Sequence, residues 1–170
     1  SRAHDILTRE SWASADLRGI ADQAVRPFLD QAHPGAPTPR ITLDGPDLRL
    51  PPEGALALTM ILHELCTNAV KHGALSVPGG RAALAWTLEP GPEARILRMS
   101  WHERGGPPVV APSRVGFGSR LLERGFAGRN TASLAYETSG LIYRAVCPLP
   151  PATRTEAGSA PARWIRAGGA

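Results

Sequence analysis

The chain predicts an α+β sandwich, a two-layer fold in which one mixed β-sheet is covered by helices on one face. Three observations point there. Segments with apolar residues at helical spacing are interleaved with short strand-like runs, and several of those runs come in pairs joined by Gly/Pro turns, as hairpins do. A length of 170 residues with 42% hydrophobic content suits one domain with a real core.

Residues 14–30 read as a helix, and 33–39 as a Pro/Gly-rich loop. Strand-like residues 40–43 and 47–50 flank a Gly45-Pro46 turn. A long helix starts near Pro52, a residue suited to a first helical turn, and His72-Gly73 closes it, Gly being usual just past a helix end. A hairpin pairs 81–88 with 94–101 across a Pro/Gly turn. After Gly116 and Gly118 comes a helical pattern that includes Leu121, Leu122 and Phe126. Strands at 132–138 and 141–148 turn at Ser139-Gly140, and residues 151–170, rich in Ala, Gly, Pro and Arg, read as a tail that Trp164 and Ile165 could dock.

The long helix holds the strongest functional signal. At about 100° per residue, Glu64, Asn68 and Lys71 fall within roughly 60° of one another, an acid, an amide and an amine in one row. Ala55, Leu58, Leu62, Leu65 and Ala69 recur on another face, so one face packs and the other is displayed. The row outlines a metal and phosphate site, although by itself it reads first as a solvated face. Two further segments change the balance. In SWHERGGPPVV, residues 100–110, glycines and prolines follow an acid at a strand's end, so that Glu103 is expected to point its carboxylate into the space beyond. In VGFGSRLLERGFAG, residues 115–128, Gly116 and Gly118 feed a helix N-terminus, whose free N–H groups suit phosphate. A lone GxG would be an ordinary strand-to-helix turn.

In this order the three blocks resemble the ATP-binding domain of sensor histidine kinases, in the wider group that includes the ATPase domains of gyrase, Hsp90 and MutL (the Bergerat fold). Residues 63–76 are similar to the asparagine box, 101–107 to the first glycine box and 115–122 to the second. His63 and the Trp101, Glu103 pair resemble the marks of the HWE family of histidine kinases. The resemblance covers about residues 1–150. It implies that Asn68 binds the Mg²⁺ bridging the phosphates of ATP, that Glu64 is the catalytic acid or base near the γ-phosphate, and that Lys71 contacts phosphate. One amide oxygen plus phosphates is a normal set for Mg²⁺. Glu103 stands where most kinases have an aspartate that accepts a hydrogen bond from the adenine amino group. Gly105 and Gly106 would make room for the base, and Gly116 and Gly118 would cradle the phosphates.

The sequence departs from the family pattern in places. His72 replaces a usual Tyr or Phe, and a nucleotide contact is expected from it. The segment 107–115 leaves little chain for a mobile lid, and no phenylalanine box lies between the glycine boxes, so a compact, rather open site is expected. The HRxxN-like motif around the phosphorylated histidine is absent. The resemblance therefore makes residues 1–13 the end of a dimerisation and phosphoacceptor hairpin plus connector, 14–150 the catalytic domain, and places the acceptor upstream of Ser1. His4-Asp5 with Thr8 and His63-Glu64 with Thr67 both match the degenerate H-[DE]-x-x-T form, and His4 reads as a helix-surface histidine. For His63 a part in the asparagine box, orienting Glu64, is the expectation.

Other chemistries fit poorly. His63-Glu64 begins an H-E-x-x-H zinc motif, but Thr67 stands in the fifth position. Cys66 and Cys147 form no framework and suit a reduced, cytoplasmic domain. No apolar run reaches membrane-spanning length, so no direct membrane insertion is expected. The net charge of +4 comes from scattered arginines without an aromatic ladder, which argues against nucleic acid. The resulting expectation is the catalytic domain of a two-component histidine kinase that passes the γ-phosphoryl of Mg-ATP to an upstream histidine, for relay to a response regulator receiver domain. Its own upstream sensor and phosphoacceptor domains would be partners, in a parent compatible with a homodimer. The alternative is a degenerate adaptor that keeps the fold without using ATP. A third, narrower one is a serine kinase of the anti-sigma type.

Overall fold

The computed structural model describes residues 15–31, 39–91, 93–126 and 131–151. The expected hairpin end at 1–13, most of the loop at 33–39 and all but the first residue of the tail lie outside them. Strand β1 (Ala15–Asp16) leads into helix α1 (Leu17–Gln31), followed by β2 (Ile41–Asp44), β3 (Arg49–Leu50) and the long helix α2 (Pro52–Lys71). A single 3-10 turn, Ala74–Ser76, separates α2 from β4 (Arg81–Glu89). Then come β5 (Arg95–Arg104), α3 (Phe117–Arg124), β6 (Thr131–Glu137) and β7 (Gly140–Leu149).

Alternation builds the main sheet. Along β4, Ala82, Leu84 and Trp86 are buried while Arg81, Ala83 and Thr87 are exposed, and β5 buries Leu97, Met99, Trp101 and Glu103 in the same rhythm. A period of two places each set on one side of the pleat. The strands run in the order β2-β4-β5-β7-β6, with β2 parallel to β4 and every other pair antiparallel. The sheet is therefore mixed, as expected, and it is covered on one face. Leu58, Ile61, Leu62, Leu65, Cys66 and Ala69 of α2, all fully buried, join the sheet's Trp101 and Tyr143, also fully buried, in one core. Each such Leu stabilises the fold by about 1.5–3 kcal/mol. Helix α1 packs on α2, while α3 packs on β6 and α2 through Leu122, with Phe126 buried just past its end.

Residues 40–43 and 47–50 do not pair with each other. Instead β2 joins the main sheet, and β3 pairs with β1 in a small separate ribbon. The linker is pinned in passing. Arg18 donates to the carbonyls of Leu43 and Gly45 and stacks over Trp86, 5.0 Å from the ring centroid, while the Trp86 indole donates to Pro46 O at 2.8 Å. A Cβ on Gly45 would fall 2.3 Å from the Trp86 ring. Glycine there serves close packing rather than a hairpin turn.

Strand β5 runs three residues beyond the expected Trp101, to Arg104. Glu103 consequently sits within a paired strand, opposite Ala82.

Candidate functional site

The displayed face of α2 forms one wall of a cavity of about 540 Å³, which is completed by β6, β7, the segment after β5 and the start of α3. Glu64, Asn68 and His72 line it, and the Asn68 Nδ2 donates to Glu64 Oε1 at 3.0 Å. Lys71, one turn on, is exposed and is not among the lining residues. Gly116 caps α3 and no side chain caps the helix, so its first backbone N–H groups remain open to a ligand. A Cβ on Gly116 would meet nothing within 4 Å, whereas one on Gly118 would lie 1.8 Å from Glu64 Oε1. The two glycines thus differ: Gly118 lets α3 close onto Glu64, and Gly116 faces open space.

Glu103 also lines this cavity, yet it is 1% exposed. Its Oε2 accepts from the Ala74 backbone N–H at 2.9 Å and its Oε1 accepts from the Trp101 indole N–H at 3.0 Å. The carboxylate does not project into open space as expected of a strand end, because the strand continues and the group is set into the wall. Burial holds its carboxyl above the usual range, and the two N–H donors pull it partly back. The neighbouring Cys66 thiol is pushed up to about 12 by burial and by Glu103. Cys66 and Cys147 are both free and buried.

Glycines pack closely around Ala74 and Glu103. A Cβ on Gly73 would lie 2.1 Å from Glu103 Oε2, one on Gly80 1.6 Å from Ala74 O, one on Gly106 2.5 Å from Ala74 Cα, and one on Gly140 2.0 Å from Glu103 O. Gly73 has a negative φ of −102°, so it ends α2 for reasons of space, not of left-handed geometry. Gly105, at φ 72°, does need glycine. Gly105 and Gly106 lie against backbone around residues 73, 74, 79 and 80 and do not line the cavity.

Several lining residues carried no sequence signal. Pro108, Val109, Val110, Pro112 and Arg114 make one wall from the short segment after β5, and Tyr136 and Leu141 reach in from β6 and β7. His63 faces elsewhere. Its ring meets Phe28 of α1 edge-on, centroids 5.6 Å apart, beside a separate cavity of about 360 Å³ between α1 and α2. The expectation that it orients Glu64 is therefore corrected: its neighbour is an aromatic ring on another helix.

Comparisons with known proteins bear on the family and the fold. The family model described as HWE histidine kinase matches residues 1–47. A blue-light-activated histidine kinase of Brucella ovis is 35% identical over 153 residues, which is 89% of this chain and 30% of that protein. The one from Brucella anthropi is 36% identical over 152 residues, 88% of this chain and 30% of its own length. The chain is similar to the HWE histidine kinases over the residues that the family model matches, and to these blue-light-activated histidine kinases over most of its length. It spans 30% of the length of those relatives. Two solved structures share the fold of this chain. The histidine kinase domain of the Erythrobacter litoralis blue-light activated histidine kinase has a TM-score of 0.54 at 16% identity, covering 81% of this chain and 68% of that one. The catalytic domain of histidine kinase ThkA has a TM-score of 0.55 at 14% identity, covering 81% of this chain and 99% of that one. The family match ends before α2, so the roles of Glu64, Asn68 and Glu103 rest on geometry and resemblance.

Proposed function

We propose that this chain binds Mg-ATP and transfers its γ-phosphoryl to a histidine on an upstream helix, for relay to an aspartate of a response regulator. The observation that supports this best is the joining, in one cavity, of the Glu64–Asn68 pair, the uncapped start of α3 and the buried Glu103 carboxylate. A cavity of about 540 Å³ is in the usual range for a ligand of nucleotide size.

The donor chemistry fits magnesium. The Asn68 amide nitrogen is committed to Glu64, which leaves its oxygen as a hard donor. Among the described residues no group of three or more His, Cys, Asp or Glu gathers to hold a metal, so Asn68 would act together with phosphate oxygens and waters. When bound, the ion supplies charge neutralisation across the phosphates. The α3 N-terminus from Gly116 receives phosphate oxygens on backbone N–H groups, and Arg114 adds a cation. Glu103 accepts from the adenine amino group on a lone pair that its protein donors leave free. Glu64 takes the proton of the attacking imidazole as its nitrogen bonds to phosphorus and the bond to the leaving ADP oxygen breaks. Such transfer is mostly positioning and charge stabilisation.

The Brucella relatives are named as light-activated. The portion they share with this chain is the one assigned here to catalysis, and sensing belongs to other domains of a parent protein. Among the described residues no helix is long and apolar enough to cross a membrane. We place this domain in the cytoplasm, in a parent that pairs as a homodimer, with its receiver domain as partner.

Calorimetric titration with ATP, with and without Mg²⁺ and with GTP as control, tests the reading. Mg-dependent binding that prefers adenine and disappears in Asn68→Ala is expected. No binding at millimolar ATP would favour an adaptor that keeps the fold without the nucleotide.

A further inference from the structure

Glu103 is long for its task, and the fold has to hold it still. A glutamate has one more rotatable bond than an aspartate, and ordering that bond on ligand binding costs affinity. In this chain the ordering is done in advance. Trp101, fully buried on the same face of β5 two residues earlier, donates its indole N–H to Oε1, and the Ala74 N–H takes Oε2. Each oxygen keeps one further lone pair.

The Ala74 donor is itself held from a distance. Arg40, 6% exposed at the start of β2, donates from Nε to Gly80 O at 3.0 Å and from Nη2 to Ala74 O at 3.3 Å and to Val77 O. One guanidinium thus gathers three carbonyls of the turn that presents the Ala74 N–H. A buried cation spent on carbonyls is costly, and such a fork has a geometry that lysine cannot copy. Gly73, Gly80 and Gly106 let the chain close in around Ala74 and Glu103, where a Cβ on any of them would clash.

We propose that Trp101 and Arg40 are positioning residues that fix the Glu103 carboxylate for reading the nucleotide base, Trp101 directly and Arg40 through the 74–80 turn. This rests on the nucleotide reading above and adds residues that touch no ligand. The base is recognised by an amino group that donates to a carboxylate, as adenine's does.

The test uses Trp101→Phe, which keeps the ring and removes the N–H, and Arg40→Lys, each titrated with ATP, GTP and tripolyphosphate in the full 170-residue chain. ATP affinity is expected to fall about tenfold or more in both variants, the scale of one hydrogen bond to a charged group, with tripolyphosphate unchanged. The pH profile adds a readout that a merely structural role would not move. The Trp101 N–H lowers the Glu103 pKa, so its removal moves the acid limb of ATP affinity to higher pH. Titratable or charged groups beside Glu103 or lining its cavity are Cys66, Glu64 and His72 of α2 and its end, Arg114 and Tyr136. All are present in wild type and variant, so the difference between the two profiles isolates Glu103. Without nucleotide, the Trp101 indole ¹⁵N–¹H resonance of the wild type is expected to shift as Glu103 titrates.

Equal losses for ATP and tripolyphosphate, or an unmoved acid limb in Trp101→Phe, overturn the inference while leaving Mg-ATP binding standing. A wild-type chain blind to the base overturns the adenine reading itself. The indole resonance then decides separately whether the brace exists, and a silent resonance overturns that too.

Discussion

Replacing Gly118 by alanine separates the role proposed for Glu64 from the fold that carries it. The new Cβ would start 1.8 Å from Glu64 Oε1 and 2.2 Å from its Cδ. Ordinary contact lies near 3.5 Å, so the carboxylate has to retreat by about 1.5 Å. That stretches the Asn68 Nδ2 to Glu64 Oε1 hydrogen bond, now 3.0 Å, past useful length, at about 0.5–1.5 kcal/mol. In the other direction, alanine is favoured over glycine within a helix by up to about 1 kcal/mol. The two nearly cancel, so the melting temperature should stay within about 4 °C of wild type. The rate should not. A misplacement of this size at a reacting group costs about a hundredfold. Gly116→Ala makes the contrast, since its Cβ meets no atom of the described residues within 4 Å but intrudes on the space proposed for phosphate. It should weaken nucleotide binding while sparing the rate at saturation. The assay is phosphoryl transfer from radiolabelled ATP in a chain that carries the acceptor helix, with thermal melts alongside. Equal rates at saturation for both variants, or a loss in Gly118→Ala that follows its melting, would refute the reasoning.

Three further outcomes are expected. Glu103→Gln offers one acceptor to two buried N–H donors and should cost about 1–3 kcal/mol in chemical denaturation. Burial raises the folded pKa of Glu103 above its unfolded value, so its favourable contribution is fully present below the unfolded pKa and lost as pH rises through the folded one. The gap between wild type and Glu103→Gln should accordingly be widest in acid and narrow towards neutral pH, and a gap that widens with pH would contradict this. Tyr143, fully buried, has a hydroxyl with no hydrogen-bond partner among the described residues, so Tyr143→Phe should gain about 1 kcal/mol in the same measurement, and a loss would indicate a partner such as a buried water. Arg114→Ala should weaken ATP several-fold in calorimetry, with a smaller effect at high salt, and a salt-independent loss would argue against a charge contact.

Periodicity made the helix faces legible in the sequence. Leu58, Leu62, Leu65 and Ala69 were on the packing face by spacing and are fully buried, and the displayed face with Glu64 and Asn68 lines the cavity. Both hairpins were legible because their turns carry Gly or Pro. Contacts distant in sequence were not. Arg40 lay in a run that looked like strand, and nothing local tells that its guanidinium is spent on carbonyls 34 to 40 residues away. Gly73, Gly80 and Gly106 have one cause, close approach around Ala74 and Glu103, and Gly140 combines such an approach with a φ of 142°, yet in sequence they look like separate turns. The strand limit after Trp101 was misplaced because Glu103 is polar, and polarity ended the pattern although its pairing partner Ala82 continued it.

The two carboxylates of the site occupy opposite surroundings, and under the proposed function this suits their tasks. Glu64 is part-buried on a helix face, held by an amide and packed against a glycine, with its carboxylate on the cavity where an incoming imidazole would meet it. Glu103 is sealed in the wall by an indole and a backbone donor, with its turn tied by a buried arginine. A proton acceptor needs access to the cavity, whereas a base reader that moves loses its selectivity. Holding Glu103 has a cost, because burial disfavours the ionised form that accepts best from an amino group. The donors from Trp101 and Ala74 offset that cost. A brace that lowers the pKa and fixes the angle at once explains why a tryptophan two residues before the glutamate is more useful than a phenylalanine of similar bulk.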